Sequence, residues 1–70
     1  MKAAELASKL KSQGRDAVRI DANTVAVRTA QARLIRESVA LLRETGWKVV
    51  GEYDPETGAC RLVLRVPDAV

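Results

Sequence analysis

The chain has 70 residues, with twelve lysines and arginines against nine aspartates and glutamates, and so a net charge of +3. Its single cysteine, Cys60, excludes an intramolecular disulfide, and the absence of histidine removes the usual partner of a zinc site or a nucleophilic cysteine. A chain of this length forms one small domain with a small core, so we expect it to depend on close packing or on self-association.

The sequence contains no candidate membrane segment. Its longest uninterrupted apolar run is residues 39–42, whereas a membrane-spanning helix needs about 20 apolar residues. The first nine residues are interrupted by charge every few positions, unlike the apolar region of a signal peptide. We therefore expect a cytoplasmic protein with a reduced thiol.

The first part of the chain reads as a helix followed by a β-hairpin. In residues 2–13 the apolar positions recur at helical spacing, and Gly14 is typical of a helix end. These positions are Ala3, Leu6, Ala7 and Leu10. Residues 17–20 and 24–28 alternate apolar and polar side chains, and the aspartate and asparagine between them favour a turn.

A second helix follows the hairpin. Thr29 is placed to cap this helix, which runs through residue 45 and ends at Gly46. Its apolar positions form one broad stripe made of Leu34, Ile35, Val39, Leu41 and Leu42. We expect the stripe to pack on the sheet and the helical arginines and glutamates to lie mostly outside it.

A second pair of strands completes the chain. Residues 47–53 are strand-like, residues 54–58 carry the proline and glycine of a hairpin turn, and residues 59–66 alternate apolar and polar side chains. Pro67 ends the pairing. The two carboxylates of the turn lack the further oxygen ligands of a calcium loop, so we interpret them as part of the turn. Cys60 falls on the apolar side of the last strand, where cysteine acts as a small hydrophobic residue.

The element order α-β-β-α-β-β indicates an α+β domain with two similar halves, residues 1–28 and 29–66. An offset of 32 positions matches Gly14 with Gly46 and Val18 with Val50, and both a duplication and a chance similarity are compatible with it. Connection rules predict one four-stranded antiparallel sheet in the order 3-4-2-1 with both helices on one face, a circularly permuted ferredoxin-like arrangement. The alternative is a homodimer in which two such units pair or exchange strands.

The alternation of side chains assigns one face of the sheet to the helices. In strands one, two and four we expect the buried positions to be Val18, Ile20, Val25, Val27, Cys60, Leu62, Leu64 and Val66. In strand three the alternation buries Trp47, Val49 and Tyr53. The repeat instead buries Val50, by matching it with Val18, and a bulge near Gly51 would reconcile both. We follow the alternation, because burying Lys48 and Glu52 without partners costs several kcal/mol.

On this assignment the open face of the sheet is a basic surface with a small apolar centre. The candidate binding residues are Arg19, Arg28, Lys48, Val50, Arg61, Val63 and Arg65. Glu52 is the acidic residue expected among them, opposite Arg61, and Ala17 and Ala26 complete the centre. We expect Trp47 and Tyr53 to belong to the core.

Two functions fit such a face. An apolar centre with a charged rim is typical of a protein interface, with a second copy or with another macromolecule. Arginines on a sheet also bind phosphates, but the chain lacks the exposed aromatic residues that stack on bases, so nucleic-acid binding would be weakly sequence-selective. Alternatively, the arginines only solvate the sheet and protect its edges from aggregation.

The sequence shows no catalytic constellation. The four glycines have neither the GxGxxG nor the GxxxxGK[ST] spacing, and Cys60 has no histidine to act as its base. We therefore expect a non-catalytic binding module without cofactor, metal, small-molecule substrate or membrane contact. Its first candidate partner is a protein or a second copy, and nucleic acid is the alternative.

Overall fold

The chain folds in the predicted order of helix, two strands, helix and two strands. A computed structural model describes residues 2–66, so Pro67 lies outside the described residues. The elements are α1 (Ala3–Ser12), β1 (Asp16–Asp21), β2 (Thr24–Thr29), a short 3-10 helix (Gln31–Arg33), α2 (Leu34–Thr45), β3 (Lys48–Tyr53) and β4 (Cys60–Arg65).

The four strands form one antiparallel sheet in the order β1-β2-β4-β3. This is the predicted order read from the other edge, so the α+β fold prediction is confirmed. The central strands β2 and β4 belong to different hairpins, and they pair from Thr24 opposite Arg65 to Thr29 opposite Cys60. The centre of the sheet therefore joins the two halves of the chain.

Both helices pack on one face of this sheet. α1 lies over β1 and β2, whereas α2 lies over β3 and β4. The core consists of Ala3, Leu6, Ala7, Leu10, Ala17, Val25, Val27, Leu41, Trp47, Leu62 and Leu64. Cys60 is also buried, and Val66 packs at the margin of the core. The inward positions predicted for α1, β2 and β4 are therefore confirmed.

α2 begins later than its sequence predicts. Thr29 is the last residue of β2, and no side chain caps either the 3-10 helix or α2. The chain leaves the sheet through the 3-10 helix, so Thr29 still pairs with the central strand and does not reach the helix. Gly46 ends α2 as predicted, in the left-handed region at φ 69°, and its N–H donates to the carbonyl of Leu42.

The apolar stripe predicted for α2 is only partly buried. Leu41 is 0% exposed, and Leu34 packs at the margin of the core. Ile35 is 81% exposed, and Val39 and Leu42 are each about half exposed. The expectation that all five residues pack on the sheet is therefore wrong.

Two contacts explain this orientation of α2. Leu34 lies over Gly51 of β3, where a β-carbon would come within 3.4 Å of the leucine side chain. Arg15, just before β1, pairs with two glutamates of α2: its Nε lies 3.3 Å from Glu37 Oε2, and its Nη1 lies 3.1 Å from Glu44 Oε2. Both contacts fix the side of the helix that faces the sheet.

The side chains of β1 lie on the opposite faces of the sheet from those predicted. Ala17 lies opposite Val27 and is buried, whereas Val18 lies opposite Ala26 and is 51% exposed; Ile20 is 52% exposed. The expectation that Val18 and Ile20 are buried is wrong, because α1 approaches β1 closely through alanines and the small side chain of Ala17 fits beneath it.

β3 faces as the alternation predicts, with Val49 toward the helices and Val50 on the open face. Because Val18 also faces outward, the repeat and the alternation agree, and the pairing of β3 with β4 is continuous past Gly51 without a bulge. Trp47 is buried as predicted. Tyr53 is half exposed, contrary to prediction, because it lies where β3 ends at the edge of the sheet.

Candidate binding face

The open face of the sheet carries a row of apolar residues that crosses all four strands. We call it the apolar row, and its members, opposite one another in strand order, are Val18, Ala26, Val63 and Val50. Residues that pair across antiparallel strands share a face. Ala26 and Val63 are buried at the centre, whereas Val18 and Val50 are about half exposed on the edge strands, and Ile20 extends this apolar surface.

A row of four charges runs beside the apolar row. We call it the charged row, and it consists of Asp16, Arg28, Arg61 and Glu52 in strand order. Arg61 Nε donates to Glu52 Oε1 at 2.7 Å, so the predicted cross-strand pair is confirmed. The positive and negative charges of this row balance each other.

The other side of the apolar row is more basic. Thr24, Arg65 and Lys48 lie opposite one another there, and Asp21 pairs with Thr24. The pKa of Asp21 is lowered, first by the hydrogen bond that its Oδ1 accepts from the Asn23 N–H at 2.8 Å. The Thr24 side chain and the charges of Arg65 and Arg19 lower this pKa further.

Six of the seven predicted binding residues lie together on the open face: Arg28, Lys48, Val50, Arg61, Val63 and Arg65. Arg19 does not lie with them. It lies opposite Val25, on the side of the sheet that faces the helices, and reaches solvent because β1 is an edge strand.

Sequence reasoning missed four residues of this face, namely Asp16, Val18, Ile20 and Asp21. With them, four cationic side chains face three acidic ones, so the face is more apolar and less basic than predicted. The match of Val18 with Val50 would have placed Val18 on the open face, because Val50 was already assigned outward.

A shallow groove of about 450 Å³ lies on the open face along the charged row. Val18, Ile20 and Tyr53 contribute apolar walls, and the pair of Glu52 with Arg61 contributes a polar one. Cys60 borders this groove as a buried free thiol. Within residues 2–66, no group of three or more acidic or cysteine side chains could hold a metal ion.

The chain has no significant match to a protein-family model, to a curated protein or to a solved structure. Within the described residues, neither helix has the length and apolar character needed to cross a membrane.

Proposed function

We propose that this protein is a non-catalytic binding module whose open sheet face pairs with a second copy of the chain. The observation that carries the proposal is that Val18, Val50 and Ile20 are about half exposed along the apolar row, on the face of the sheet that the helices do not cover. Two sheets that pack face to face bury side chains of this kind between them.

Dimerisation would add stability that the small core of this domain does not supply. Burial of apolar surface stabilises by about 25 cal/mol per Å², and a domain of this length has few core residues to supply that stabilisation. A standard interface covers about 800 Å² of each partner, which is about one-sixth of the 4918 Å² surface of this chain.

The charges of the face fit a protein partner better than a nucleic acid. Arg61 is paired with Glu52, and Asp16 and Asp21 lie on the same face, so phosphates would have to compete with carboxylates that are already in place. Of the two aromatic residues, Trp47 is buried and Tyr53 lies at the margin, which leaves little surface for stacking on bases.

Sedimentation velocity over a range of protein concentrations tests the proposal. We expect the wild-type chain to dimerise, and we expect Val18→Lys and Val50→Lys to weaken dimerisation at least about tenfold, because each places a charge on the apolar row. Ile35→Lys is the control, since it changes a still more exposed apolar residue that lies on α2, away from the apolar row. A wild-type chain that stays monomeric at about millimolar concentration contradicts the proposal.

Titration of labelled single-stranded DNA and RNA at low and high salt addresses the alternative. We expect no binding at physiological salt. Salt-sensitive binding that is lost in an Arg61→Gln/Arg65→Gln double variant would instead support phosphate recognition by this face.

A further inference from the structure

The outer side of α2 carries a second uncovered apolar surface. We call it the α2 ridge, and it consists of Ile35, Val39 and Leu42, spaced at i, i+4 and i+7 along one side of the helix. Single exposed apolar residues are common on protein surfaces, whereas three adjacent ones on one helix are typical of an interaction site.

The ridge cannot turn inward without breaking contacts that hold α2. Leu41 is fully buried on the opposite side of the helix, and Leu34 lies over Gly51. Arg15 bridges Glu37 and Glu44 along the same helix. The ridge is therefore a fixed feature of the surface.

The charge beside the ridge indicates what binds to it. Arg36 and Arg43 lie three residues before and four residues after Val39, so both border the ridge on the same side. Within residues 2–66 neither arginine forms an ion pair, and Glu37 and Glu44 are both paired with Arg15. The ridge thus has an uncompensated positive flank.

We propose that the α2 ridge is a docking surface for an acidic amphipathic helix of a partner protein. Apolar side chains at helical spacing on the partner would pack on Ile35, Val39 and Leu42, and its carboxylates would pair with Arg36 and Arg43. The ridge lies in the helix layer, on the opposite side of the sheet from the apolar row, so this binding is independent of dimerisation.

A second copy of α2 lacks the matching charges. A two-fold axis perpendicular to the helix would bring the two arginine flanks against each other. A two-fold axis parallel to the helix would place Arg36 and Arg43 against the uncharged flank with Ser38 and Thr45. Neither arrangement supplies carboxylates, and this favours a different protein as the partner.

The test uses two labelled helical peptides of about 18 residues. Both carry leucines at i, i+4 and i+7, and the flanking residues are glutamates in one and lysines in the other. Fluorescence anisotropy measures their binding to the full chain at about 0.05 and 0.3 M salt. We expect the glutamate peptide to bind at least about tenfold more tightly than the lysine peptide, with a preference that shrinks at the higher salt.

Three variants locate the binding. Arg36→Glu/Arg43→Glu should reverse the preference between the two peptides, and Val39→Ala/Leu42→Ala should weaken binding of the glutamate peptide about tenfold. Val18→Lys should leave peptide binding unchanged even where it abolishes dimerisation, so failure of one proposal is distinguishable from failure of the other. Circular dichroism checks that each variant is folded.

Several results would overturn the proposal. It fails if neither peptide binds, if both bind equally, or if the preference survives the charge reversal. Loss of the wild-type dimer in Val39→Ala/Leu42→Ala would also overturn it, because the ridge would then bind a second copy.

Discussion

The two halves of the chain share their topology but differ in how their helices meet the sheet. α1 buries Ala3, Leu6, Ala7 and Leu10, whereas in α2 only Leu41 is fully buried. When the sequences of the two halves are aligned by the offset that matches Val18 with Val50, three buried residues of α1 align with the three exposed residues of the α2 ridge. These matched pairs are Ala3 with Ile35, Ala7 with Val39 and Leu10 with Leu42.

The matched strands β1 and β3 therefore face the same way, while the helices are rotated relative to each other. In the first half, alanines of α1 let the helix approach Ala17 closely. In the second half, Gly51 makes room for Leu34, and Arg15 holds Glu37 and Glu44. A repeated apolar pattern thus predicts a helix, but the residues beneath the helix decide which of its sides is buried.

The largest expected difference in stability is between alanine substitutions of two adjacent leucines in α2. Leu41→Ala should destabilise the domain by about 2–5 kcal/mol, because it leaves a cavity at the main anchor of the helix. Leu42→Ala removes the same atoms from the exposed ridge and should cost less than about 1 kcal/mol. Urea unfolding of both variants measures the difference, and equal losses would mean that α2 is rotated differently.

The next effect concerns the space under α2. Gly51→Val should destabilise by about 1–3 kcal/mol, because its side chain would displace Leu34. Arg19→Val, the matched position of the first half, should change stability by less than about 0.5 kcal/mol, since Arg19 is exposed. If urea unfolding gives similar values for both, Leu34 does not depend on the glycine.

A smaller effect is expected at the arginine that joins β1 to α2. Arg15→Gln should destabilise by about 1 kcal/mol, because it removes two partly exposed ion pairs, and the loss should shrink in high salt. Arg43→Gln, on the outer side of α2, serves as the control and should have a smaller effect. Thermal unfolding at two salt concentrations measures both, and a loss that does not depend on salt would contradict the ion-pair explanation.

The smallest effect compares the turn aspartates of the two hairpins. Asp21 Oδ1 accepts from Asn23 N–H, and Asp54 Oδ1 accepts from Glu56 N–H. Because folding lowers the pKa of Asp21, its carboxylate stabilises the fold above its usual pKa of ~3.9, and this contribution is lost as the pH falls through the lowered value.

Asp21→Asn should therefore unfold at a slightly lower temperature than the wild type at neutral pH, and the difference should vanish in strong acid. Thermal midpoints across this pH range measure it, with Asp54→Asn as the matched turn variant. A difference that stays constant down to strong acid would show that the charge of Asp21 does not contribute.

Most of the fold followed from the sequence because each element carries a local signal. The helical spacing in α1, the turn residues between strands, and Gly46 at the end of α2 each act within a few residues. The strand order followed from the short connections between elements. The start of α2 did not follow from the sequence, because a threonine before a helix is also compatible with a longer strand. In the structure Thr29 pairs in the sheet.

The candidate site was harder to predict because neighbours that are distant in sequence decide on which face of a strand or side of a helix a residue is exposed. In β1 the valine and isoleucine look more suited to burial than Ala17, yet the close approach of α1 favours the alanine. The ridge on α2 likewise depends on Arg15, which lies more than twenty residues from the helical glutamates that it binds. The proposed duplication of residues 1–28 and 29–66 stays a prediction.

The pairing of β2 with β4 has a consequence for how the chain can be divided. The six pairs between these strands hold the halves together, while each helix lies mainly over the hairpin of its own half. A cut near Ala30 would leave two helix-hairpin fragments, each with one newly unpaired strand edge, on β2 or β4, that matches the edge of the other. Such fragments are suited to reassemble when mixed, so the domain is a natural candidate for a split reporter whose signal depends on reconstitution of the central strand pair.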